Sequence, residues 1–405
     1  MSAEKPKLRN DLDFMPVQSD GKIVVLIRDR LGINKQDRVV SPELYGIMTM
    51  LDGSRSARDI QADLMRRQGG DLIPIEEIEN LLLKLDSSFF LDSPHYQEAK
   101  RNLVAEFSSR TVRHSSHAGL SYPGEKEDLR GMLDGILAIK QEVPSFPDDE
   151  IIALIAPHID LEAGKKAYSN AYRSIQGITP KKIIVLGVGH VMAKDMFCLT
   201  RKSFETPLGK VEVDQEIIAE LTKAGNDIVS EDDFAHKNEH SIEFQLIFLQ
   251  HILGDSSFKL VPVLCGSLIG GLPEYTREAY KDIGDDFLNV LSGCAKDGET
   301  LLIAGVDFSH VGPKFGHDRA ASLILEQSET HDRRLLDCLC EGNADGFWSE
   351  SARAGDRYHV CGFSALACLL EILPSSRGHL LSYETFTEDT TRSAVSFASA
   401  VFTRY

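Results

Sequence analysis

Two stretches decide the fold: IIALIAPHID at residues 151–160 and KKIIVLGVGH at residues 181–190. Each is a short apolar run rich in β-branched residues, broken by proline or glycine, that then delivers a histidine. Unbroken apolar runs of this length read as strands buried on both faces rather than on one. The theme recurs at Lys259–Leu264, Thr300–Ala304 and Ala394–Phe402. Helical spacing of apolar residues fills the gaps, at 161–175, 214–224, 241–253, 273–293 and 362–373. Strands that alternate with helices give an α/β class, with a central, mostly parallel sheet flanked by helices.

In such sheets ligands bind at the carboxyl ends of the strands. His158 and His190 both stand there; if adjacent parallel strands carry them, the two imidazoles can converge on one ion, and otherwise they are two unrelated loop histidines. Three more motifs carry polar residues into apolar surroundings. In EHSIEFQLIFLQHIL (239–253) His240 and Glu243 share one helix face. Such a polar pair opening an apolar helix can sit at a pocket rim; the alternative, that the helix dipole favours negative charge in a first turn, accounts for Glu239 and Glu243 without any function but not for His240. In LLIAGVDFSHVG (301–312) a buried strand ends in Asp307, Ser309 and His310, the pattern of a carboxylate orienting an imidazole for proton transfer. In YHVCGFSALACLLEIL (358–373) Cys361 precedes an apolar helix, where the dipole is expected to lower its thiol pKa.

The 405 residues call for two domains, and the formal charge of −18 argues against nucleic acid and anionic membrane as partners. No apolar run reaches the roughly 20 residues that span a bilayer, residues 1–10 carry no signal-peptide pattern, and the seven scattered cysteines suit a reducing compartment, so a cytoplasmic location is expected. Before the α/β segment lie a strand candidate at Lys22–Ile27 after the Ser19-Asp20-Gly21 turn, helix starts at Pro42, Ser56 and Pro74, and a short strand at Phe89–Leu91. Three helices and a wing suggest a winged-helix domain over 1–100. Its third helix is too acidic to read DNA. The polar stretch Gln97–Ser116 then reads as a connection, with a linker at 101–116 and the main domain at 117–405.

Taken in order, SHAGLSYPGEKEDLRGMLDGIL (116–137), APHID, VLGVGH, TPLGKVEVD (206–214), EHSIEFQL, VPVLCG (261–266), DFSHVG, VCGF and SAVSFASAVF (393–402) resemble the Memo family. The resemblance implies a fold similar to class III extradiol dioxygenases and metal ligands at His158, His190 and Cys361. It also implies pocket groups at Asp307 and His310, with His240 in the place of an acid/base histidine. Copper or iron is the implied ion, with zinc as a further option. Bacterial members, called AmmeMemoRadiSam system protein B, are grouped with a radical S-adenosylmethionine enzyme. The first segment resembles PqqD-like winged helices, which fits a peptide- or protein-modifying context. The implied activity is a metal-dependent oxidoreductase; the alternatives are a non-catalytic peptide-binding module and an extradiol-type dioxygenase. Ile159-Asp160-Leu161 and Val191 depart from the family's usual residues, and a cysteine in place of a carboxylate ligand speaks against ring cleavage.

Overall fold

The computed structural model describes all residues except 1–4, 20, 35, 68, 70, 140–145, 147–149, 193 and 255–256. The chain divides into two units, one ending at Ser109 and the other running from Arg110 to Tyr405.

In the first unit β1 (Leu12–Ser19), β2 (Lys22–Asp29) and β3 (Arg38–Val40) form an antiparallel sheet in the order β1-β2-β3. Asp20, part of the turn read between the first two strands, lies outside the described residues. Four helices follow: α1 (Pro42–Met48), α2 (Ala57–Arg67), α3 (Ile75–Ser87) and α4 (Pro94–Ser108). Ser41 caps α1, with its hydroxyl accepting from Leu44 N at 3.3 Å and Pro42 supplying a preset φ in the first turn. Met48, Ile60, Leu64, Ile78, Leu82 and Leu85 bury the inner faces of α1–α3 with Leu12 and Ile27 of the sheet.

Two readings change here. Phe89–Leu91 is not a strand: Phe89 takes a left-handed φ of 56° as α3 ends, and Leu91 makes only an isolated bridge to Leu8. The sheet therefore precedes the helices instead of forming a wing after the third. The stretch read as a connection is largely structured. Pro94–Ser108 is helical, capped by Ser93 whose hydroxyl accepts from Tyr96 N at 3.3 Å, and Tyr96 and Phe107 are its buried residues.

The second unit opens with β4 (Val112–His114) and α5 (Lys126–Leu137). Then come β5 (Ile151–Ala156), α6 (Lys165–Ser174), β6 (Lys182–Val188), β7 (Phe197–Leu199), β8 (Ser203–Thr206) and β9 (Gly209–Val211). They are followed by α7 (Gln215–Gly225), α8 (His240–Leu253), β10 (Lys259–Cys265), α9 (Arg277–Ala295), β11 (Thr300–Gly305) and β12 (His310–Val311). The chain closes with α10 (Leu325–Glu341), α11 (Ala344–Ala354), α12 (Phe363–Ile372), β13 (Ser376–Glu388) and β14 (Ser393–Arg404).

The large sheet is mixed, in the order β12-β14-β5-β11-β6-β10-β7, with β13 paired to β14. Its centre, β5-β11-β6-β10, is parallel, and the flanking pairs are antiparallel. The unbroken apolar runs have their cause here: Ile183, Ile184, Val185 and Leu186 of β6 are fully buried, with helices on both faces. Each such side chain contributes about 1.5–3 kcal/mol when removed from water. Gly305 is in register with Ala156 on one side and Gly187 on the other, so β5, β11 and β6 end level. A smaller sheet, β4-β8-β9, stands apart from it. No helix among the described residues is long and apolar enough to cross a membrane.

Candidate metal centre

The level strand ends put three loops side by side. His158 lies two residues past β5, Asp307 two past β11 and His190 two past β6. The first turn of α8 presses onto the same edge. A Cβ at Gly187 would stand 2.6 Å from Ser241 Oγ, and one at Gly305 would stand 2.5 Å from the Ser241 carbonyl, so both strands need glycine there. Ser241 locks the approach: its hydroxyl accepts from Val188 N at 3.0 Å and donates to Val188 O at 3.2 Å.

This clamp brings His240 to the other two rings. Ring centroids are 5.1 Å apart for His158–His190, 5.1 Å for His158–His240 and 5.0 Å for His190–His240. One nitrogen from each ring lies within 4.8 Å of the others, a spacing able to hold a metal ion. The opposite nitrogens are committed to the protein. His158 Nδ1 is 2.9 Å from the Gly305 carbonyl, which fixes it as the donor. His190 Nδ1 is 3.1 and 3.0 Å from the two oxygens of Glu239, and His240 Nδ1 is 3.3 Å from one of them. Each Nδ1 held by an acceptor points to Nε2 as the ligand atom, the arrangement that orients metal-bound histidines. Burial, reinforced by His240 and His190, drives the pKa of His158 well below its ordinary value, so this ring stays in the neutral form that ligates.

From sequence, the helix dipole offers Glu239 an explanation without any function. Glu239 caps α8, accepting from the backbone N–H groups of His240 and Ser241, both at 2.9 Å, and from His190 N at 3.2 Å. The same carboxylate holds two of the three imidazoles. Burial pushes its pKa up, but His190 and His240 outweigh that and keep it ionised, well below the usual carboxylate range. A glutamate in the capping position, where Ser, Thr, Asp or Asn is usual, directly before His240, was the signal available.

Two further groups flank His158. Cys361 Sγ is 3.5 Å from His158 Nε2 and 3.5 Å from the Asp307 carbonyl. Its pKa is raised well above that of a free thiol, by burial first and by Asp307 next. The lowered pKa expected at a helix start is thus overturned. Gly362 is the capping residue, α12 begins only at Phe363, and the cost of burying a thiolate exceeds what the dipole returns. Asp307 Oδ1 accepts from the N–H groups of His158 at 3.0 Å and Ile159 at 3.2 Å, and Oδ2 lies 3.7 Å from His158 Nε2. Burial lifts its pKa to about 7 against these two donors.

A model of the family described as Memo-like protein matches residues 113–401. The chain belongs to the Memo family. It is 29% identical over 401 residues to a MEMO1 family protein of Aquifex aeolicus, a match covering 98% of this chain and 100% of that one. A MEMO1 family protein of Nitrosopumilus maritimus is 28% identical, with 68% of this chain and 92% of the relative covered. The protein memo-1 homolog of Caenorhabditis elegans is 26% identical, with 72% and 82% covered.

The family match begins at Arg113, a residue whose contacts tie it to α8. Arg113 had been placed in a linker. It is 1% exposed, ion-paired to the fully buried Glu243, and donates to the carbonyls of His236 at 3.0 Å and Glu239 at 2.7 Å. Glu243 also accepts from Ser116 N at 3.0 Å, His117 N at 2.9 Å and the Tyr122 hydroxyl. Strand β4 and the turn after it are thereby pinned to α8, and the His117 ring comes to 5.6 Å from that of His240. The second first-turn acid of α8 is an anchor.

His310 departs from its expected partnership. Asp307 faces His158, while His310 Nδ1 lies 3.0 Å from the Phe308 carbonyl and its ring meets Phe315 edge-on at 4.9 Å. Burial lowers its pKa to about 4. Ser309 turns away and donates to Asp332 at 2.6 Å.

Proposed function

We propose that this Memo-family protein is a metal-dependent oxidoreductase built on one ion. His158, His190 and His240 supply imidazole ligands, and Cys361 beside His158 supplies a thiolate once a cation offsets the cost of burying it. The carrying observation is the convergence of three imidazole nitrogens within 4.8 Å, with the opposite nitrogens held by Gly305 and Glu239. The residues fit the ion: three nitrogens and one adjacent sulfur match the borderline-to-soft preference of copper, and imidazole also suits iron. A bound ion of this kind supplies one-electron and dioxygen chemistry.

The chain's own groups do the rest. Glu239 fixes the tautomer and direction of His190 and His240. Asp307 stands beside His158 Nε2 as the group that accepts or returns a proton from a substrate. His240, expected from sequence to carry that proton, serves here as the third imidazole.

The test is elemental analysis after anaerobic purification, followed by dioxygen uptake with a reductant. Near one equivalent of copper or iron is expected in the wild type, with strong loss in a His158→Ala, His190→Ala double variant and partial loss in His240→Ala and Cys361→Ser. Unchanged metal in the double variant refutes the site. A loaded protein that turns over no reductant refutes the activity.

A further inference from the structure

A polar recess is lined in part by Arg357 and Tyr358 of the loop that leads to Cys361. It has a volume of about 440 Å³ and lies between α10, the end of α11 and residues 357–358, within the size range of small-molecule sites. Arg334 comes from α10, Arg353 from α11 and Arg357 from the loop, with Tyr358 and Ala354 as the apolar part of the lining.

Their charges are not balanced. Glu350 is the shared acceptor: His331 Nδ1 is 2.8 Å from it, Arg353 donates to it at 3.0 and 2.6 Å, and Arg334 stands at 3.7 Å. The Arg357 guanidinium has no hydrogen bond or ion pair with the described residues; only its backbone is engaged, the carbonyl accepting from His317 at 2.8 Å and the N–H donating to the Ala354 carbonyl at 3.4 Å. Glu326 is the one acid among the lining residues. Three solvent-exposed guanidiniums thus stand beside two carboxylates, in a chain whose net charge is −18.

We propose that this recess binds a small phosphomonoester. Guanidiniums present planar forks of donors that match phosphate oxygens in pairs. The dianion can bridge Arg357 to Arg334 and Arg353 while Glu350 keeps its present partners, and the substituent on the ester rests on Tyr358 and Ala354. A carboxylate, with one charge, is satisfied by a single fork and gives no reason for three. An anionic bilayer is disfavoured by the chain's net charge of −18.

The experiment uses the full chain, freed of metal with a chelator so that the strand-end site takes up no phosphate. Calorimetry and melting temperature are measured with inorganic phosphate, glycerol 3-phosphate and citrate at matched ionic strength. The two phosphates are expected to bind and raise the melting temperature. Arg357→Gln and Arg334→Gln, which leave the Arg353–Glu350 pair intact, each weaken binding about tenfold, the effect of losing one charge-assisted contact. Unchanged metal uptake in both variants shows that they fold. Binding of citrate alone, or equal phosphate binding in wild type and variants, overturns the proposal, the latter by showing a non-specific ion effect.

Discussion

Helices α8 and α12 both begin at the candidate metal centre, and they begin differently. Glu239 closes the first turn of α8 and holds two imidazoles with the same carboxylate. Gly362 opens α12 with no side-chain cap, and the partly buried thiol before it is kept protonated by a pKa raised well above the ordinary thiol value. Dipole reasoning misjudged both. At α8 it explained away an acid that organises the site; at α12 it promised a thiolate that burial forbids. A helix terminus shifts a group's energy by about 0.3–1 kcal/mol, less than either a network of donors or full desolvation, so the surroundings decide.

The largest test of that contrast removes the α8 anchor. Glu243→Ala leaves the Arg113 guanidinium buried without its partner, a loss of about 3–5 kcal/mol. Urea denaturation should show it, and a loss under 1 kcal/mol would mean that the segment around Arg113 is held by other contacts. The approach to α8 gives the next effect. His236, fully buried with Nε2 3.0 Å from the Cys198 carbonyl, has a pKa lowered by burial to about 4. Its folded pKa lies below the unfolded value near 6.5, so the unfolded chain takes up the proton first as pH falls. Stability is therefore lost between about pH 6.5 and 4, by roughly 3 kcal/mol in all. Melting curves at pH 7 and pH 5 should differ less in His236→Gln than in the wild type; equal differences would discount this histidine.

Glu239→Gln should lower metal affinity about 10- to 100-fold, as expected for a residue that orients ligands from behind. Competition with a chelator measures this, and wild-type affinity would reduce Glu239 to a helix cap. The smallest effect is kinetic. With metal removed, Cys361 should alkylate at pH 7.5 more slowly than a short peptide thiol; peptide mapping that finds it faster would restore the dipole argument at α12.

The parallel strands were legible because burial on both faces leaves an unbroken apolar run, and the bounds of Ile151–Ala156 were read to the residue. His158, His190 and Asp307 followed, since strand ends in such sheets collect ligands. What escaped was polar and distant in sequence. Arg113 meets Glu243 across 130 positions, and nothing local marks one arginine in a polar stretch as buried. Helix α4 carried the same Ser-Pro opening that revealed α1, yet Tyr96 and Phe107 are its only buried residues, too few to show periodicity. The partner of Asp307 was mistaken because adjacency in sequence suggested His310, whereas Asp307 accepts from the backbone of His158 and Ile159 and His310 Nδ1 faces the Phe308 carbonyl.

Glu239 has a consequence for how this protein can change over generations. One carboxylate answers to the first turn of α8, to the backbone of His190 and to two rings. Shortening it to aspartate withdraws reach from all of them together, and exchanging either histidine strands an acceptor that the helix still needs. Positions 190, 239 and 240 are thus coupled: a substitution at one is expected to bear on the other two, on the start of the helix and on any ion they hold.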